Sequence, residues 1–238
     1  QVASFAGISL PSQSGDKKNL ILATLSSRVF LERLLKYDWV LPGLFAQESY
    51  NKSTQELNYD KDLYNSTTKT WAIDKELNAS LKPSLQDAHI KYSNILNIEE
   101  NNSNGFIKLE IEHLSPLYAK ELLDLVIEEI NLMIREQDLR ESSDALSYLR
   151  DQINQTLVAD IKNSINSMIE GQMKTQMMAK IKTDYVLSKI DPAYIPEKKS
   201  KPTRSVICII GALLGFIFGI FIVLIQHYIF NKSKPIIN

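Results

Sequence analysis

Residues Val206 to Ile225 carry no charge, and the thiol of Cys208 is their only group with any polar character. At ~1.5 Å per residue, one helix of this length spans the ~30 Å hydrocarbon core of a bilayer, so the run is a transmembrane helix. Within it Gly211, Gly215 and Gly219 recur every fourth residue. That spacing lines one stripe with bare backbone, and a neighbouring membrane helix gains close dispersion contacts there that lipid does not offer. Just upstream, Pro192, Pro196 and Pro202 cannot continue a helix and bias the residues before them to extended backbone. An extended, semi-rigid strap therefore joins the span to what precedes it. The residues after it, 231–238, are too few to fold into anything catalytic.

The chain has 238 residues, a formal net charge of -1 and 44% hydrophobic residues, so the part before the span has enough apolar content for one or two folded units. No charge bias points to nucleic acid. The single cysteine lies in the span, which excludes a disulfide framework and a cysteine-based metal site. Gln1 stands where a start methionine is expected, so the chain is read as the remainder of a longer one. Lys198, Lys199, Lys201 and Arg204 precede the span, against Lys232 and Lys234 after it. Counted alone, that bias keeps the large domain on the cytoplasmic side, although long domains cross membranes largely regardless of charge.

Residues 1–18 read as loop. From Leu20 to Tyr37 apolar residues recur at helical spacing around Arg28, Glu32, Arg33 and Lys36, which predicts one amphipathic helix ended by Pro42 and Gly43. Residues 47–70 are polar and rich in Asn, Tyr and Lys, and are expected to stay outside the core. Pro83 opens a short helix toward Tyr92. Residues 95–112 predict a β-hairpin, with Ile107, Leu109 and Ile111 alternating with Lys108, Glu110 and Glu112 and with Asn104-Gly105 suited to the turn. Ser115-Pro116 then marks a helix start.

Between Pro116 and Lys182 there is no further proline and one glycine, Gly171. Leu146, Leu149, Ile153, Leu157, Ile161, Ile165 and Met168 keep a spacing of ~3.7, near the straight-helix period. One unbroken helix would carry the chain on the order of 100 Å away, yet the strap has to return to a membrane, so a reversal is expected at residues 155–159. Residues 183–190, with Tyr185, Val186 and Leu187, are expected to form a returning strand.

The search for chemistry finds little. His89, His113 and His227 have no metal-ligand spacing and read as surface or cap residues. No phosphate loop, nucleophile elbow or zinc motif is present. Glu128-Glu129 and Glu99-Glu100 are expected to be solvated. The triplets starting at Asn51, Asn65, Asn78 and Asn101 match the glycosylation pattern but read as chance in so Asn-rich a chain. Met168, Met173, Met177 and Met178 are expected to fill a core or helix contact. Catalytic, metal and cofactor residues are therefore expected to be absent.

Several runs carry a resemblance to a known family: Ile-Glu-His-Leu-Ser-Pro-Leu-Tyr-Ala-Lys at 111–120, Glu-Glu-Ile-Asn at 128–131, Ile-Arg-Glu at 134–136, Gln-Met-Lys-Thr-Gln-Met-Met-Ala at 172–179 and Lys-Ile-Asp-Pro-Ala-Tyr-Ile-Pro-Glu-Lys at 189–198 before the glycine-repeat span. Together with Leu-Ser-Ser-Arg-Val-Phe at 25–30, they resemble the Wzz-type chain-length determinants of the polysaccharide co-polymerases. The resemblance implies an α+β fold: a membrane-proximal α/β base, a long projecting α-helical hairpin and a C-terminal transmembrane helix. It places the base at 1–114 without its opening part, the hairpin at 115–182, the returning strand and Pro-rich strap at 183–204, the span at 205–230 and a cytoplasmic tail at 231–238. It further implies a bacterial inner-membrane protein with two spans and a periplasmic domain, assembled as a homo-oligomeric ring. Such a ring acts with a membrane polymerase on a lipid-linked glycan, without catalysis of its own. Two related classes share much of this layout, a polysaccharide export adaptor and a co-polymerase working with a separate tyrosine kinase.

Overall fold

A serine decides how the folded part begins. In the computed structural model, which describes residues 15–76, 78–101, 103–196 and 204–230, the predicted helix over residues 20–37 is two helices, α1 (Gly15–Leu25) and α2 (Arg28–Leu34). Ser27 between them has extended backbone, and its side chain accepts a hydrogen bond from Phe30 N at 3.1 Å, starting α2 afresh. The apolar face is as expected, with Leu25, Phe30, Leu31 and Leu34 fully buried. Pro42 and Gly43 do not end the segment but lie inside a third helix, α3 (Val40–Phe45). Proline is tolerated there because the N–H groups of a first helical turn have no partner within the helix. Gly43 is required for a different reason: a β-carbon on it would stand 1.9 Å from Cε2 of Tyr118.

Residues 47–70, expected to stay outside the core, form three short antiparallel ladders together with residues 71–80. They pair β1 (Gln47–Asn51) with β2 (Glu56–Tyr59), β3 (Tyr64–Asn65) with β4 (Thr70–Trp71), and β5 (Ile73–Asp74) with β6 (Ala79–Ser80). Apolar periodicity is weak here because the ladders meet the core sparsely, the first through Leu57 and the second through Trp71. Tyr64 stacks between Tyr59 and Trp71, with ring centroids 5.7 and 5.1 Å away. The helix α4 (Leu85–Ile95) follows, closed by a capping box in which Asp87 N donates to the Ser84 hydroxyl and Ser84 N to the Asp87 carboxylate. It leads into the predicted hairpin, β7 (Leu96–Glu100) and β8 (Ile107–Ile111), in the register Leu96 with Ile111 and Ile98 with Leu109.

All four hairpins turn in the same way. The oxygens of Asn51, Asn65, Asp74 and Asn101 accept from the backbone N–H two residues on, at 2.9, 2.9, 2.8 and 3.0 Å. The residue four further along has positive φ: Gln55 at 58°, Lys69 at 54°, Asn78 at 47° and Gly105 at 72°. Three of the glycosylation-like triplets are therefore turn residues, and their Ser or Thr supplies the bonded N–H.

Ser115 caps α5 (Pro116–Gln155) by accepting from Tyr118 N at 3.2 Å. The chain breaks at residues 156–158, inside the expected interval, and resumes as α6 (Ala159–Ile181), which packs along α5. The predicted strand at 183–190 does not form. Its place is taken by irregular backbone fastened to α5 by side chains, the Asn131 carboxamide taking the N–H groups of Val186 and Leu187. The described chain is thus mixed helix and strand. It divides into two compact units at Ile195 and Pro196. The second unit contains α7 (Arg204–Phe230).

Two glycine substitutions separate packing from backbone entropy. Gly43→Ala should lower unfolding stability by about 3 kcal/mol or more, since Tyr118 is too well packed to give way. Gly171→Ala, on an open face of α6, should raise it by about 0.5–1 kcal/mol. Chemical denaturation of the two variants checks both signs.

Candidate functional site

Among the described residues one helix is long and apolar enough to cross a membrane: Cys208–Ile225 of α7, with a mean hydropathy of 3.0 and no part of it buried. Gly211, Gly215 and Gly219 lie on one stripe of it, and a β-carbon on each would meet open space. Pro192 and Pro196 are exposed and outside any regular element. Pro202, like the tail at 231–238, lies outside the described residues. Pro192 belongs to the first unit, and Pro196 and the glycines to the second.

A polar ridge on α5 does gather contacts. Asp124, Asn131, Arg135 and Asp138 fall within roughly 60° of one another at ~100° per residue, and each meets the segment that returns from α6. Val186 N and Leu187 N donate to Asn131 Oδ1 at 2.7 and 2.9 Å, while Asn131 Nδ2 donates to Leu187 O and to Ile127 O, both at 2.9 Å. Arg135 Nη2 donates to the carbonyls of Lys182 and Thr183 at 2.6 Å. Tyr185 donates its hydroxyl to Asp138, and Lys189 pairs with Asp124 at 2.6 Å. The sequence signal was a polar residue, Asn131, interrupting the run Ile130, Leu132, Met133, Ile134. It was visible, but its partner 55 residues away was not.

Glu129, expected to be solvated, is 4% exposed. It accepts from Arg33 Nε and, at 2.6 Å, from the Tyr37 hydroxyl. Arg33 also reaches Glu136 with Nη1 and Nη2 at 2.7 and 3.1 Å, a two-pronged contact joining α2 to α5. The Glu136 bonds, and then Glu129, hold the Arg33 guanidinium charged beyond its ordinary range. Arg33 in turn keeps the Glu136 carboxyl below its ordinary value. Burying a carboxylate is tolerated where its oxygens are met in this way.

His113 is half-buried at the start of α5 and works as a cap. Ser115 N donates to its Nδ1 at 3.1 Å, which leaves Nε2 as the protonated nitrogen that donates to Gly43 O at 2.8 Å. Beside it the Tyr118 hydroxyl donates to Val40 O at 2.7 Å, and the Tyr118 ring meets His113 and Trp39 at centroid distances of 4.2 and 5.4 Å. Burial, above all, lowers the His113 pKa from its ordinary 6.5.

The methionines are not core. Met168, Met173, Met177 and Met178 of α6 are 59%, 47%, 57% and 39% exposed, and the buried residues of that helix are Ile165 and Ala179 instead. Among the described residues no group of three or more His, Cys, Asp or Glu side chains is placed to hold a metal ion. The described residues present a helix long and apolar enough to cross a membrane, an apolar helix face and a polar fastening. No model of a known protein family matches the chain, and no curated protein matches it.

The lowered pKa of His113 fixes the sign of a pH effect. The unfolded chain takes up the proton first, so the contribution of neutral His113 is fully present above pH 6.5 and is lost as pH falls below that value. The unfolding free energy from denaturant titration should fall from pH 7 toward pH 5, by up to ~1.4 kcal/mol per pH unit from this one group. The slope should shrink in His113→Gln, and equal slopes in the two proteins would refute the assignment.

Proposed function

We propose that this protein is a Wzz-type regulator of polysaccharide chain length, anchored in a bacterial inner membrane with its first unit in the periplasm. The observation that carries the reading is the order of elements from Ser115 onward. A capped 40-residue helix is followed by a returning helix of 23 residues, a proline-punctuated segment and an apolar helix with glycine at every fourth position. In this reading α5 and α6 are the long hairpin projecting from a membrane-proximal base, and α7 is the second of two spans.

The exposed apolar side chains of α6 and the glycine stripe of α7 both suit contact with further copies of the chain, which supports a homo-oligomeric ring. A closed ring repeats one interface around an axis and presents identical helix faces to whatever enters it. The lipid-linked glycan and its membrane polymerase would meet that symmetric surface, and ring geometry would bias when extension stops. The protein acts as a scaffold in this scheme, and the bond-forming chemistry belongs to the polymerase.

Deleting the gene should alter the modal length of a surface polysaccharide on a gel without abolishing the polymer. Loss of surface polymer with internal accumulation would instead indicate an export adaptor. Gly215→Leu should broaden the length distribution while the circular dichroism of the first unit stays unchanged. A banding pattern identical to the parent's would remove the glycine stripe from the mechanism.

A further inference from the structure

The chain enters its first unit along α1 and leaves through residues 182–195, and one carboxylate ties both. Asp138 Oδ2 accepts from the ammonium of Lys17 at 2.5 Å and from the hydroxyl of Tyr185. Lys17 and Arg135 also lie over the Tyr185 ring, 4.9 and 6.0 Å from its centroid. Seven residues before Asp138, the carboxamide of Asn131 does for Val186 and Leu187 what a neighbouring strand would do. We propose that the ridge Asn131, Arg135 and Asp138 is a clasp that holds residues 182–189 as a separately opening strap. Asn131 is the positioning residue that sets the strap's register on α5.

Three features distinguish a clasp from a permanent part of the core. Among the described residues no backbone-to-backbone hydrogen bond reaches residues 183–195, so the ties of the strap are made by side chains of one helix ridge and can be released without unravelling a ladder. Tyr185, Val186 and Leu187 are only half-buried, and exposed residues flank them on both sides. Arg135 Nε is buried without a partner while Nη2 serves two carbonyls, so the closed arrangement contains an unmet donor that opening would relieve.

Opening has a mechanical consequence, because residues 182–189 follow directly on α6. Releasing Lys182–Lys189 frees roughly 26 Å of extended chain at ~3.3 Å per residue. The clasp therefore sets how much slack the chain has after α6. This holds whether or not the chain regulates polysaccharide length.

Hydrogen exchange on the full chain in lipid nanodiscs tests the proposal. In the unmodified protein the amides of Val186 and Leu187 should be protected, yet exchange about tenfold or more faster than those of Leu125 to Ile134, as a locally opening segment does. Asn131→Leu removes the amide contacts but keeps the helix, and should speed exchange of the strap by about tenfold while α5 stays within about twofold. Tyr185→Phe, which loses only the bond to Asp138, should give a smaller rise confined to the strap, and it carries the test if Asn131→Leu fails to fold. The proposal is overturned if strap and α5 exchange together in every protein, if the strap is unprotected from the outset, or if neither substitution changes its exchange.

Discussion

The apolar stripe Tyr118, Leu122, Val126, Ile130 and Ile134, along the first half of α5, is the surface on which the first unit is assembled. Helices α1 to α4 have 11, 7, 6 and 11 residues, all shorter than the ~12–15 needed for a helix to hold in water by itself. They persist because each places fully or nearly fully buried side chains in the core with that stripe. Burial stabilises by about 1.5–3 kcal/mol per large apolar side chain, before the entropy of ordering is set against it. The tightest point is Tyr118 against Gly43, where a ring lies on bare backbone. His113 and Ser115, just ahead of Tyr118, hold the start of the helix in register with α3.

The same helix carries polar groups on its other faces, and these make the arrangement specific. Glu129 faces Arg33 and Tyr37 of the α2 segment, and Asn131 faces the strap. A buried polar group that keeps its partners contributes little net energy, but losing one partner costs about 1–3 kcal/mol. A slip of α2 or of the strap by one residue would leave these groups unmet. Apolar contact thus supplies the bulk of the stabilisation, while the carboxylate and the carboxamide select one packing among many.

Beyond Asp138 the balance changes. The fully or nearly fully buried residues along the outer part of the helix pair are few: Ser142, Leu146, Ile165 and Ala179. Leu157 at the connection is 95% exposed, and the methionines of α6 face outward. The outer pair is therefore held more weakly than the base and leaves apolar surface open. The helix α7 leaves more, since none of its apolar window is covered. In a proposed ring, copies of the chain would cover the first surface, and lipid and neighbouring spans the second.

What the sequence alone determined is what depends on near neighbours along the chain. The long apolar helix α7 follows from its uncharged length, the start of α5 from Ser115 and Pro116, and the hairpin β7–β8 from alternation around Asn104-Gly105. The break near residue 157 was legible because an unbroken helix could not have returned. The glycosylation-like triplets were seen too, but their purpose was not, because an Asn that accepts from a backbone N–H two residues on and one that is merely exposed share the same letters. Tertiary structure decided what depends on distant partners. It divided the first helix at Ser27, placed Leu57 and Trp71 of the first two ladders against the core, and buried Glu129 against Arg33. It also turned an expected strand into a strap, because the hydrogen-bonding partner available to Val186 and Leu187 was not another strand but the side chain of Asn131. Period and propensity describe a segment's own preferences, whereas the partner of a polar group is known only once the chain has folded back upon itself.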